Sequence, residues 1–230
     1  MKALLYKEFK LAMHPICYIF IALFPFMILI PSYPVAVGFI YILSCYPILF
    51  LGANKGQQSN DLLYSTLLPI RKKDIVLARI LTVTIMQFAY ILLMSALLPL
   101  AMFIQNSVTA TSEDPTHMTP GLSLNGFVSI IAIGLIGFSL ADLIFFPIYY
   151  KNGKSIVMST LLTILGFMVY LSVFTVALPY IPGLEWYKTT LCDSGLGIQF
   201  IILGAGLVIY VLIHILVFHI SSKRLEKVDF

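Results

Sequence analysis

Charge is what this sequence has least of. Asp, Glu, Lys and Arg make up only 10% of its 230 residues, while 60% are hydrophobic. The mean hydropathy is +0.99. Soluble domains carry about 25% charged residues, so this composition excludes a water-facing globule. Cysteine is scarce too: Cys17 and Cys45 fall in apolar runs and Cys192 stands alone outside them, which excludes an extracellular disulfide framework within one chain. Catalytic signatures are missing. There is no His-Glu-x-x-His, no Gly-x-Ser-x-Gly and no glycine-rich phosphate loop ahead of a helix. Gly153, Lys154 and Ser155 resemble the tail of such a loop, but the position its first glycine should occupy is Ile148 and no strand precedes it. A tight Asn152-Gly153 turn flanked by interfacial tyrosines and lysines accounts for that stretch. No internal repeat is visible.

What is abundant is the long apolar run. A hydrocarbon core of about 30 Å needs about 20 apolar residues per helix, and six runs qualify: residues 16–32, 35–53, 75–104, 124–150, 156–178 and 196–220. They predict an all-α polytopic membrane protein, a single transmembrane domain over 1–230 with no room for a soluble catalytic domain. Residues 1–14 precede the first run. There Leu5, Phe9 and Ala12 share one helical face and Lys7, Lys10 and His14 the opposite one, the pattern of a helix lying in the membrane interface, ended by Pro15. A cleaved signal peptide fits less well, since no small-residue cleavage site follows and further spans do.

Basic residues set the orientation. Of the 14 Lys and Arg, all but Lys188 lie before the first run or after the second, fourth and sixth. The positive-inside rule makes those stretches, and both termini, cytoplasmic. Glu113, Asp114, Glu185 and Asp193 fall on the other side. The net charge of +4 therefore reports topology and not nucleic-acid binding.

Within the runs, Pro25 and Pro47 predict kinks. Gly137 with Ala141, and Gly197, Gly204 and Gly206, predict close helix approach. Asp142 is the only acid inside any run as bounded. An aspartate near mid-membrane costs at least about 2.5 kcal/mol, so it is expected to face protein or water, either in a hydrogen bond to a neighbouring helix or lining a translocation path or gate. His214 and His219, five apart, share no helical face and have no companion acid or thiolate in sequence, which argues against a metal site. The outer connection 105–123 reads as a solvated linker, with His117 exposed in it. The stretch 179–195, with Tyr180, Trp186, Tyr187 and two prolines, reads as a re-entrant or interfacial piece.

One internal stretch is polar and basic enough for a soluble partner to read: residues 59–79, SNDLLYSTLLPIRKKDIVLAR. Ser59 or Asn60 can cap a short helix with Asp61 in its first turn. Leu63 and Leu67, with Tyr64 and Leu68 beside them, make one apolar stripe, and Pro69 ends it. Arg71, Lys72 and Lys73 follow. A leucine-faced knob with a basic collar, held outside a membrane, is a docking element.

The N-terminal KALLYKEFKLAM, the stretch DLLYSTLLPIRKKDIVLARIL and PIYYKNGKS together resemble the membrane subunits of ABC type-2 permeases. The compact size is similar to small bacterial exporters of antimicrobial or toxin peptides, including phenol-soluble-modulin exporters. The resemblance implies that residues 59–73 form the coupling helix, inserted in a groove of a separate ATP-binding subunit. Leu62, Leu63, Leu67 and Leu68 would be its apolar contacts, flanked by Arg71, Lys72 and Lys73, with Leu5 and Phe9 bracing the contact. It also implies that ATP and Mg bind in the partner ATPase and not in this chain. Six spans would be half a transporter, paired with a second permease subunit, identical or not, in a bacterial cell membrane. Two other classes compete: an ion-coupled secondary transporter, for which several intramembrane ionisable groups are expected, and a non-transporting scaffold or immunity protein.

Overall fold

A computed structural model of the chain describes residues 2–12, 15–29, 70–111, 124–152, 156–173 and 195–227. Nearly all of these residues are helical, with no strand among them, as the apolar runs require. The second run (35–53), Ser59 to Pro69 of the docking stretch and most of 179–195 lie outside the described residues.

α1 (Lys2–Lys7) widens into a π-helical turn at Glu8–Ala12. α2 (Pro15–Leu23) tightens into a 3-10 helix at Phe24–Leu29. The change falls beside Pro25, which cannot donate the hydrogen bond that would continue α2. A 3-10 helix rises about 2.0 Å per residue against 1.5 Å, so this short apolar segment gains reach.

α3 (Lys72–Thr111) is 40 residues long. At 1.5 Å per residue it spans about 60 Å, twice the hydrocarbon thickness, and must project beyond it. Asp74 lies in its first turn, where the helix dipole favours an acid, and the Asp74 amide donates to the Arg71 carbonyl at 2.9 Å. α4 (Leu124–Asn152), α5 (Ile156–Ser172) and α6 (Leu196–Glu226) complete the described elements. Within them Lys72–Ile104, Phe127–Lys151 and Leu196–Glu226 are long and apolar enough to cross a membrane, and Ile16–Leu29 and Ile156–Tyr170 are shorter apolar helices.

Packing runs in a chain of neighbours: α1 and α2 on α3, α3 on α6, α6 on α4, α4 on α5. α4 is central. Its Phe138, Phe145, Phe146 and Tyr150 are fully buried, and Phe145 stacks on Tyr149 and Phe146 on Tyr150 one helical turn apart. Gly137 lets α5 approach, for a methyl there would come within 2.6 Å of the Phe167 ring and 2.9 Å of the Tyr170 ring. Gly206 likewise meets the Ala132 backbone, at 3.2 Å from a would-be Cβ. The expectation of close packing fails for Gly197 and Gly204, which face open space: spacing identified small residues, but only the side of α6 turned to α4 uses them. The other side of α6 exposes Phe200, Ile201, Val208, Leu212 and Ile215. Lipid tails match such a surface without cost.

Candidate functional site

The interior between α3, α4 and α6 is not uniformly apolar. α3 and α4 are not close backbone neighbours, and long polar side chains fill the space between them, in two tiers.

The first tier lies where the N-terminal end of α3 meets the C-terminal ends of α4 and α6. Arg79 and Glu8 are both almost wholly buried. The Arg79 Nε lies 3.5 Å from Glu8 Oε2, a charge contact longer than a hydrogen bond, and its Nη1 donates to the Tyr149 hydroxyl at 2.6 Å. Lys7 adds a 3.5 Å contact to the other Glu8 oxygen. Nearby, Arg224 Nη1 donates to the Pro147 carbonyl at 2.6 Å, and Lys73 pairs with Glu226 at 3.5 Å on the surface. The π-helical turn is itself tied to α2, because the Tyr18 hydroxyl donates to the Phe9 carbonyl at 2.6 Å.

The second tier is deeper. Asp142 is fully buried, and its Oδ2 accepts from Gln87 Nε2 at 2.9 Å. His214 Nε2 lies 3.1 Å from the same oxygen, with the ring not aimed for a directed hydrogen bond. Tyr210 donates its hydroxyl proton to Gln87 Oε1. The Tyr210 carbonyl faces His214 Nδ1 at 2.9 Å, and since a carbonyl only accepts, Nδ1 carries hydrogen. Imidazolium with carboxylate, or imidazole with carboxylic acid, each leaves the pair without net charge, as a dry interior demands. Thr84, Tyr210 and His214 border a cleft of about 310 Å³ between α3 and α6 whose other walls, among them Leu81, Phe88 and Ile215, are apolar. Toward the far end of α4, Ser129 donates to the buried Gln199.

The sequence expectations divide accordingly. Asp142 does find neighbouring helices, two at once. His214, read as lacking a companion acid, has Asp142 beside it; the pairing joins residues far apart in sequence, and neither its own helix nor its spacing from His219 reveals it. Arg79 reads as one more topology-setting charge, yet it meets Glu8, which the sequence does not single out, in the interior. A lone arginine inside an apolar run is the signal that marks it. Among the described residues no group of three or more His, Cys, Asp or Glu could hold a metal. Of the docking stretch, Arg71 and Lys73 are exposed and Lys72 half-buried at the start of α3. Asp61, Leu62, Leu63, Tyr64, Leu67, Leu68 and Pro69 lie outside the described residues. Leu5 and Phe9 are half-buried, while Leu4 is the fully enclosed leucine of α1.

A comparison with curated proteins and one with solved structures found no match. The family model described as ABC-2 family transporter protein matches residues 3–223. A bundle of apolar spanning helices, matched over nearly its whole length by that model, is a membrane permease of an ABC transporter, and the chain belongs to the ABC-2 family.

Proposed function

We propose that this chain is one membrane subunit of an exporter driven by a separate ATPase, and that it moves a hydrophobic or amphipathic cargo, in particular an antimicrobial or toxin peptide. The family implies an ATP-binding partner, which would hold ATP and Mg. The docking element is the stretch 59–73, with Leu62, Leu63, Leu67 and Leu68 in the partner's groove and Arg71, Lys72 and Lys73 at its rim.

One observation carries this reading. The basic cluster runs without interruption into α3, the 40-residue helix against which α1, α2 and α6 pack. A displacement at Arg71–Lys73 is therefore delivered directly to a helix, whose one proline, Pro99, lies well beyond Arg79, and is not dissipated in a loop. Export in place of import, the peptide nature of the cargo and the pairing with a second permease subunit rest on the resemblance to small bacterial exporters. Asp142, a buried acid joined to α3 through Gln87 and to α6 through His214, is the candidate residue of the translocation path or gate.

Replacing Leu63 and Leu67 together by Asp should abolish co-purification of the ATPase while leaving the protein in the membrane. Undiminished capture of the ATPase by that variant would refute the docking role. The Asp142–His214 pair favours a second reading, ion-coupled transport, since it supplies an intramembrane ionisable pair. Cargo efflux that follows a proton gradient and continues after ATP depletion would establish that alternative.

A further inference from the structure

We propose that Arg79 is a positioning residue that fastens the N-terminal helix to the bundle, so that α1, α3, α4 and α6 move as one body when the segment ahead of α3 is displaced. The inference rests on the docking role proposed above and says what happens to the force after it arrives.

A helix that merely floats in the interface keeps its charged face toward the headgroups. α1 does not. Glu8, at the head of the π-helical turn, is 3% exposed, and Arg79, about 10 Å along α3 from Lys72, is 2% exposed. Parting them would take from the buried Arg79 its contact with the Glu8 carboxylate, so drawing the N-terminal helix away from α3 is opposed more strongly than peeling an amphipathic helix off lipid. The guanidinium is at the same time held from α4, by the 2.6 Å bond to the Tyr149 hydroxyl and by its position 5.7 Å from the centre of that ring. Arg224 closes the circuit, joining α6 to the carbonyl of Pro147, two residues before Tyr149. Two arginines thus clamp four elements at the end of the bundle that begins with Arg71, Lys72 and Lys73. Arginine suits the task because its planar fork spreads five donors over three nitrogens and so reaches partners farther apart than a lysine ammonium can.

The test uses the complex with its co-expressed ATPase in lipid nanodiscs, with the native cysteines replaced by alanine and spin labels at Lys2→Cys and Lys223→Cys, both exposed positions. Pulsed electron-electron resonance reads the distance between α1 and the end of α6, nucleotide-free and with ATP plus vanadate. With the labelled chain diluted in unlabelled cysteine-free chain, so that one permease subunit per complex carries labels, the parent complex should give one distance that nucleotide leaves unchanged. Arg79→Gln should add a second, nucleotide-dependent distance, Tyr149→Phe the same to a smaller extent, and Arg79→Lys should restore the single peak in part by keeping the Glu8 contact. Should Arg79→Gln fail to assemble, the loss of a single hydroxyl in Tyr149→Phe still decides. A nucleotide-driven shift in the parent complex, or an unaltered single distance in both Arg79→Gln and Tyr149→Phe, would overturn the clamp while leaving docking intact. An ATPase missing from the parent preparation overturns the docking reading, and the clamp with it.

Discussion

At the scale of single residues, the buried Asp142 makes its demand through protons and acceptors. Gln87 Nε2 and His214 both address the same carboxylate oxygen, so removing the acid strands two polar groups in the interior. Breaking one side of a buried pair costs about 3–5 kcal/mol, whereas replacing both members by apolar residues is often close to neutral. Asp142→Leu should therefore lower the melting temperature of the detergent-solubilised protein sharply, and Asp142→Leu with His214→Leu should recover a large part of the loss. A double-mutant cycle checks this, and simple addition of the two single losses would show that the pair is not coupled. The surface pair Lys73–Glu226, with both side chains about half exposed, is a control worth at most about 1 kcal/mol.

Elements are where sequence and structure part company. Hydropathy located α4 and α6 at their starts, residues 124 and 196, because the bilayer requirement acts on every residue of a run. It could not see that α3 continues to Thr111 or α6 to Glu226, since helix that projects from the membrane has no need to be apolar. Periodicity states which residues share a face but not which helix the face meets. That is why Glu8 with Arg79, and Asp142 with His214, were invisible, and why all the glycines of α6 looked alike. The glycines give the sharpest element-level expectation. Gly137→Val should push α5 off α4, because its Cβ would already stand 2.6 Å from Phe167, and should reduce melting temperature and folded yield together. Gly204→Ala, in open space, should hold or raise stability, by up to about 1 kcal/mol from helix propensity. Equal effects of the two changes would mean that helix approach at Gly137 contributes nothing.

For the whole molecule, the two arginine links and the Lys73–Glu226 pair bring the start of α3 and the ends of α4 and α6 to one end of the bundle. Lys2 of α1, Lys151 and Lys223 are exposed there or close by. Gly195 begins α6 at the opposite end. Transfer of basic residues across a membrane is disfavoured strongly enough that their distribution sets orientation, so the basic end should be cytoplasmic. Lys2→Cys, Lys151→Cys and Lys223→Cys should then react with a membrane-impermeant maleimide in inside-out vesicles but not in intact cells, and Gly195→Cys should show the reverse. All four must agree, because parallel α4 and α6, joined near both ends by Ser129–Gln199 and Arg224–Pro147, fix their ends relative to each other. Reaction of Lys223→Cys in intact cells would put the Arg71–Lys73 cluster outside as well, beyond the reach of any cytosolic ATPase, and the docking mechanism would fall with the topology.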